Sequence, residues 1–306
     1  MNRWVVYQRE RFPLAGHAPL VAAFSASAVC FSSLVRGRIA VPSPAALLVA
    51  FVTSLLFFLQ LRIADEFKDC EDDARFRPYR PVPRGLVTLP ELAAIGVAAA
   101  VVQLGLALWL PPPLVWLLVP SWLYLVLMTR EFFARCWLKA HPIVYLASHM
   151  VILPLVDLYA TACDWLVAGE RTAPVGLLWF LVVSYLNGIV IEIGRKTRVA
   201  ADEEHGVETY SALWGKHGAA RAWLLAILLT AAAAWEAAAQ IGWAVPTLFM
   251  LSGLMVGCVA VARRFLRNAS RGGGKAIEVM AGVWTLLMYL GLGAAPMALT
   301  LWQGAR

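Results

Sequence analysis

Apolar residues along this chain fall into nine blocks separated by charged residues or by Pro and Gly, at about 16–35, 44–64, 90–110, 113–130, 141–162, 174–193, 219–239, 243–262 and 277–302. An α-helix needs about 20 residues to cross a bilayer core of roughly 30 Å, which is the scale of each block. None of the blocks alternates polar and apolar positions as a barrel strand would. Inside lipid the backbone must satisfy its own hydrogen bonds, so each block is read as a helix. The pattern therefore predicts an all-α, polytopic membrane protein with about nine transmembrane helices.

Composition agrees with that reading. Of 306 residues, 61% are hydrophobic and 15% charged, and the mean hydropathy of +0.70 lies outside the range of soluble domains. The first apolar block follows a charged lead and has full spanning length, so no cleavable signal peptide is expected. The five cysteines, Cys30, Cys70, Cys136, Cys163 and Cys258, show no CxxC spacing and read as free thiols.

Charge fixes an orientation. If the N-terminus faces the cytoplasm, 22 of the 26 Lys and Arg fall in inner segments, leaving Arg36, Arg38, Arg171 and Arg306 outside. This is the positive-inside bias, and a missed or extra span would invert it downstream. The net charge of +7 then reports topology and anionic lipid, with no need for nucleic acid. The expected location is the inner, cytoplasmic membrane of the cell.

Acidic residues are distributed just as unevenly. Twelve of the 19 lie in two inner loops, after the second and sixth spans. The first reads LRIADEFKDCEDDARFRPYRPVPRGLV. If the second helix continues past the membrane, Asp65, Asp69 and Asp73 recur every four residues and cover about 80° of one face, with Glu66 and Asp72 at its flanks. Like charges so spaced repel, and more strongly near lipid, so a cation is expected among them. Clustered hard carboxylate oxygens suit Mg²⁺, which bridges carboxylates to substrate phosphates. The alternative is a solvated acidic face neutralised by Arg62, Lys68, Arg75, Arg77 and Arg80. Beyond it, Pro78, Pro81 and Pro83 stiffen a segment from which Arg80 and Arg84 can grip phosphate oxygens, with Lys68 nearby.

The second loop reads NGIVIEIGRKTRVAADEEHGVETYSALWGKHG. Glu192 lies near the end of the sixth span, where an ionisable group is a functional candidate. Arg195, Lys196 and Arg198 follow, then Asp202, Glu203 and Glu204, a mixture able to bind a second cation and a diphosphate or to form a salt-bridged loop. Arg271-Gly272-Gly273-Gly274-Lys275 lacks P-loop spacing and reads as a basic turn, and the Asn268-Ala269-Ser270 sequon falls on the inner side. His149 lies within a span and could face a cavity. Asp157, Glu236 and Glu278 are the other acids within the spans, too few for the ionisable pathway of a transporter.

At these loops the sequence resembles the UbiA superfamily of intramembrane prenyltransferases. That family's first motif, NDxxDxxxD followed by RPxPxG, appears here as Asp65-Glu66-Phe67-Lys68-Asp69, then Asp73, then Arg80-Pro81-Val82-Pro83-Arg84-Gly85. Its second, DxxxD ahead of GxxT, keeps Asp202 and Gly206-Val207-Glu208-Thr209 but has Arg198 in place of the other Asp. The resemblance extends over 1–306 as one domain. It implies helices around a central cavity, with both loops converging at its cytoplasmic end. It also implies Mg²⁺ held by Asp65, Glu66, Asp69, Asp73, Glu192 and Asp202. Arg80, Lys196 and Arg198 would assist ionisation of an allylic prenyl diphosphate that Lys68, Arg84 and Arg195 help bind. Trp122, Tyr124, Phe132, Phe133, Tyr145, Trp179 and Tyr185 are available to shield the carbocation. Transfer to an aromatic or other small acceptor is the implied reaction. An acceptor-free terpene cyclase and a cation-coupled transporter remain as rival readings.

Overall fold

The computed structural model describes residues 2–267, 270 and 272–304. Asn268, Ala269 and Arg271, which the sequon and the basic turn include, lie outside the described residues. So does Arg306 on the expected outer side. The described residues form helices and turns with no strand. In chain order the helices are α1 (Arg3–Arg11), α2 (Leu14–Val35), α3 (Pro44–Lys68), α4 (Cys70–Phe76), α5 (Leu89–Trp109), α6 (Val115–Thr129) and α7 (Arg135–Ala140). They continue as α8 (Pro142–Met150), α9 (Ile152–Trp165), α10 (Leu177–Arg195), α11 (Tyr210–Gln240), α12 (Ala244–Arg267), α13 (Lys275–Leu292) and α14 (Ala294–Gly304).

Nine stretches among the described residues are long and apolar enough to cross a membrane, one for each expected block. Two of them are broken: α8 and α9 together make the fifth, and α13 and α14 the ninth. Helix starts follow local chemistry. Ser43 caps α3 by accepting the Ala46 N–H, with Pro44 at the first helical position. Thr88 and Glu91 form a reciprocal capping box at α5. Val97, Trp116 and Phe249 are exposed on the spans, the surface expected of helices bathed in lipid.

The chain divides into two compact units. One comprises Met1–Val29 and Pro42–Ala173, the other Cys30–Val41 and Pro174–Arg306, so α2 contributes to both. In the first, α3 packs on α5 and α9, and α6 on α9, around Val49, Phe57, Leu118, Val156 and Tyr159. Fully buried Gln103 joins three of these helices, donating to the Thr53 carbonyl at 3.1 Å and accepting from Trp122 Nε1 at 2.9 Å. Such polar contacts substitute for the hydrophobic force that lipid cannot supply between helices.

In the second unit α10 packs on α11 and α13 around Phe180, Trp223, Ile227 and Trp284. A side chain at Gly194 would meet Ala281 Cβ at 2.8 Å, so the glycine sets how closely α10 and α13 approach. Helix α11 is interrupted at Gly215, whose φ of 69° separates a first turn from the spanning part.

Candidate functional site

The first acidic segment lies wholly in the first unit. Helix α3 runs on past the expected end of the second span to Lys68, then kinks at Asp69 (φ −95°, ψ 7°) before α4 begins. The uninterrupted helix expected from the spacing is thus broken at its middle acid. The turn-by-turn linkage nevertheless survives. Asp69 N–H donates to the Asp65 carbonyl, Asp73 N–H to that of Asp69, and Arg77 N–H to that of Asp73, at 2.9, 2.7 and 2.9 Å. Three carboxylates are thereby held one turn apart on hydrogen-bonded backbone.

Asp65 and Asp73 are met by cations from their own segment. Asp65 accepts from Arg62 at 3.4 Å and Lys68 at 3.3 Å. Asp73 is buried and accepts from Arg77 at 3.2 Å and from Arg80 at 2.6 Å. Arg84 donates to the Tyr79 carbonyl and to Glu10, both at 2.9 Å. Asp72 is held by Arg135 at 3.4 Å and Lys139 at 3.0 Å, which ties α4 to α7. Glu66 points elsewhere: its carboxylate is buried against Arg11 of α1.

Lys68 links this segment to an aromatic group. Its Nζ lies 5.6 Å from the centre of the Tyr145 ring. Tyr145 stacks on His149 at 3.9 Å, and the Phe132 ring meets His149 edge-on at 5.8 Å and Tyr124 at 5.5 Å. Of the aromatics named from sequence, Tyr124, Phe132 and Tyr145 therefore gather here with His149. Phe133 is 81% exposed, and Trp122 is engaged by Gln103.

Phe132 is carried by an unusual backbone. Glu131, Phe132 and Phe133 all have positive φ, at 47°, 51° and 57°. A left-handed conformation costs a non-glycine residue roughly 1–2 kcal/mol, so three in a row need support. Arg135 supplies part of it with a 3.0 Å ion pair to Glu131. Burial pushes the Glu131 carboxyl above the usual range, opposed by Arg135 and Lys68. Sequence reading missed Glu131 because no Gly or Asn marks the turn.

The second acidic segment lies in the second unit. Glu192, at the end of α10, is held by Arg195 at 2.7 Å and Lys196 at 3.0 Å. Lys196 Nζ stands 5.9 Å from the Tyr210 ring centre, and its carbonyl accepts the Tyr210 N–H at 2.9 Å. Arg198 pairs with Glu204 at 3.2 Å. Glu203 accepts from the Thr209 hydroxyl at 2.7 Å, which stabilises the GxxT stretch from within. Asp202 accepts the Gly272 N–H at 2.7 Å. The glycine turn given no role from sequence is thus joined to the second motif. Gly274 lies so close to this loop that a Cβ there would fall 2.3 Å from the Thr197 carbonyl oxygen.

Among the described residues no three of the His, Cys, Asp and Glu side chains stand together as a ready-made metal cage. A cage is not what Mg²⁺ uses; it takes one or two carboxylates and completes its shell with water and phosphate oxygens. Asp65, Asp69 and Asp73, hard donors one turn apart, fit that requirement.

Residues 75–291 match the profile of the UbiA prenyltransferase family. The chain belongs to this family. The matched stretch includes Arg80-Pro81-Val82-Pro83-Arg84-Gly85 and the whole second segment, while Asp65, Asp69 and Asp73 precede it. No curated protein matches the sequence closely. Three solved structures share the fold. A UbiA homologue from Aeropyrum pernix K1, in its apo form, has 15% identity and a TM-score of 0.68, with 94% of this chain and 98% of that one covered. A digeranylgeranylglyceryl phosphate synthase has 14% identity and a TM-score of 0.60, covering 97% and 100%. A UbiA homologue from Archaeoglobus fulgidus, bound to DMAPP and Mg²⁺, has 10% identity and a TM-score of 0.58, covering 94% and 98%. This UbiA protein is thus a multi-pass membrane protein of the same all-helical fold.

Proposed function

We propose that the chain is an intramembrane prenyltransferase that ionises an allylic prenyl diphosphate and passes the prenyl group to an aromatic or other small acceptor. The carrying observation is the first segment, where Asp65, Asp69 and Asp73 stand one turn apart and Arg80 reaches back from the Pro-rich stretch to Asp73. Family membership supports the reaction class, and the Mg²⁺ and DMAPP bound by the A. fulgidus homologue support the ligand class. Asp65, Asp69 and Asp73 would hold Mg²⁺, with Glu192 and Asp202 as the acids of a second site. Bound there, the ion supplies charge stabilisation to the departing diphosphate.

The chain's own residues account for the remaining steps. Arg80 and Arg77 form a guanidinium pair on one buried carboxylate, and phosphate oxygens can exchange for that carboxylate. Lys68, Arg84, Arg195, Lys196 and Arg198 add cationic donors on both segments. When the C–O bond breaks its electron pair leaves with the diphosphate, and the rings of Tyr124, Phe132 and Tyr145 can shield the allylic cation. The acceptor carbon then supplies the new bonding pair and loses a proton. The 22-to-4 division of basic residues supports placing both segments on the cytoplasmic side of the inner membrane.

The test is purified protein in lipid nanodiscs with Mg²⁺ and geranyl, farnesyl or geranylgeranyl diphosphate, with and without aromatic acceptors. Prenylated acceptor and free diphosphate are expected together. A hydrocarbon or terpene alcohol formed without acceptor would make the protein a cyclase, and no diphosphate release under any condition would remove the reading.

A further inference from the structure

Helix α1 is too short and too charged to be a span: four of its nine residues are Arg3, Arg9, Glu10 and Arg11. It is nevertheless firmly seated within the first unit. Tyr7 is buried against Ile63 of α3, Leu92 of α5 and Val87 just before α5, with Trp4, Leu59, Val82 and Ile95 around them. Three ion pairs run along its length, each to a different part of the first acidic region. Arg3 meets Glu91 at the start of α5 at 2.5 Å, Glu10 meets Arg84 of the Arg-Pro stretch at 2.9 Å, and Arg11 donates through Nε to Glu66.

The Arg11–Glu66 pair differs from the other two in burial. Its side chains are 10% and 1% exposed, against 36–49% and 31–40% for the rest. Asp73 is also buried, but its partners Arg77 and Arg80 lie on its own segment and can turn to phosphate, whereas Glu66 is closed in by a guanidinium from a separate helix, and removal of that guanidinium would leave a charge with no water to solvate it. Glu66 also has directional leverage. At about 100° per residue it lies roughly 100° round the helix from Asp65 and 60° from Asp69. Anchoring it on α1 fixes the rotation of the last turn of α3 and hence where those two acids point.

We propose that Glu66 is a positioning residue: through Arg11 it docks α1 onto the first acidic motif and sets the azimuth of Asp65 and Asp69, and it is not itself a ligand of the cation. The proposal rests on the prenyltransferase reading only for what those acids hold. Glu10, adjacent to Arg11, extends the same device to Arg84, so one short helix registers the acid segment against the Arg-Pro segment.

The experiment compares Arg11→Ala, Glu66→Gln and the exchanged pair Arg11→Glu with Glu66→Arg, in nanodiscs. It reads the Mg²⁺ concentration for half-maximal diphosphate release and, without substrate, deuterium exchange across residues 62–76. Both single variants should raise the half-maximal Mg²⁺ about tenfold, as misplaced ligands do, and loosen exchange locally. The exchanged pair should recover to within about threefold of wild type, because the two sites are coupled. A ligand role for Glu66 gives the opposite pattern: Arg11→Ala keeps wild-type Mg²⁺ dependence and the exchanged pair is inactive. That pattern, or unaltered exchange at 65–76 in Arg11→Ala, overturns the proposal. Wild-type protein that releases no diphosphate removes the enzymatic reading instead, and the exchange data still decide the docking.

Discussion

The two acidic segments are alike in composition and opposite in construction. In the first, Asp65, Asp69 and Asp73 ride on continuous helical hydrogen bonds, and Glu66 and Asp73 are buried with arginine partners. Arg11 reaches Glu66 across 55 positions of sequence, so its place depends on tertiary packing. In the second, Glu192 ends α10 and the other acids follow in a loop, and the ion pairs are local: Glu192 with residues three and four further on, and Glu204 with Arg198 six back. Local, half-exposed pairs such as Arg198–Glu204 contribute about 0–1 kcal/mol and rearrange easily. Buried pairs are costly to disturb. The first segment is therefore the more firmly held of the two, and in the second the Arg198–Glu204 pair is the part most easily rearranged.

The largest effect that tests this contrast is on stability. Glu66→Ala strands Arg11 in a buried site and should cost about 3–5 kcal/mol, whereas Glu204→Ala on the exposed pair should cost under about 1 kcal/mol. Thermal unfolding in one detergent, followed by intrinsic tryptophan fluorescence, compares them directly. Equal losses would mean that burial does not distinguish the segments. On activity, Asp73→Asn should lower diphosphate release on the order of 10²–10³-fold, the scale of losing a preorganised charge group, with Arg77 and Arg80 left without a counter-charge. Asp202→Asn in the second segment should cost only about tenfold, since it still accepts from the Gly272 amide. Initial rates at saturating Mg²⁺ measure both. Matching losses would break the contrast.

The fold was legible because each of the nine spans is a local property of hydropathy, and every block corresponds among the described residues to a helical stretch of spanning length. The site was legible only as far as its contacts are local. Asp65, Asp69, Asp73, Arg77 and Arg80 lie within a few turns of one another, so spacing sufficed to group them. The kink at Asp69 left no trace, as Asp and Cys are ordinary there. Arg11 to Glu66 and Asp202 to Gly272 span 55 and 70 residues, and nothing in either local string announces the partner. The left-handed run at Glu131–Phe133 was equally hidden, because tertiary support rather than glycine makes it tolerable.

A smaller effect probes the departure of the second motif from its family. Arg198 occupies the position of the usual acid and holds Glu204 at 3.2 Å. Arg198→Asp removes a cation beside Asp202 and adds a hard oxygen donor. The half-maximal Mg²⁺ should fall by about threefold to tenfold while catalysis at saturating Mg²⁺ changes less, because the loop is free to adopt the new ligand. Isothermal titration with Mg²⁺ and a non-ionisable prenyl diphosphate analogue reads the change without turnover. Unchanged or weaker binding would mean that Arg198 serves the diphosphate and is not merely a displaced ligand.

The smallest expected effect concerns the left-handed turn beside the first segment. Burial raises the Glu131 carboxyl in the folded protein, against about 4.3 in an unfolded chain, so between the two values the folded state binds more protons. Stability must then fall as pH rises through that window, and the cost of burying the charge is constant above it. Below the unfolded value the group is neutral in both states and the cost vanishes. Glu131→Gln has no such slope. The midpoint of Glu131→Gln minus that of wild type should therefore climb with pH from about 4.3 and level off, however the other carboxylates titrate in common. The change is small, because Arg135 at 3.0 Å offsets part of the desolvation. A difference that declines with pH would show that the Arg135 pair dominates, and that Glu131 braces the strained turn through charge rather than despite it.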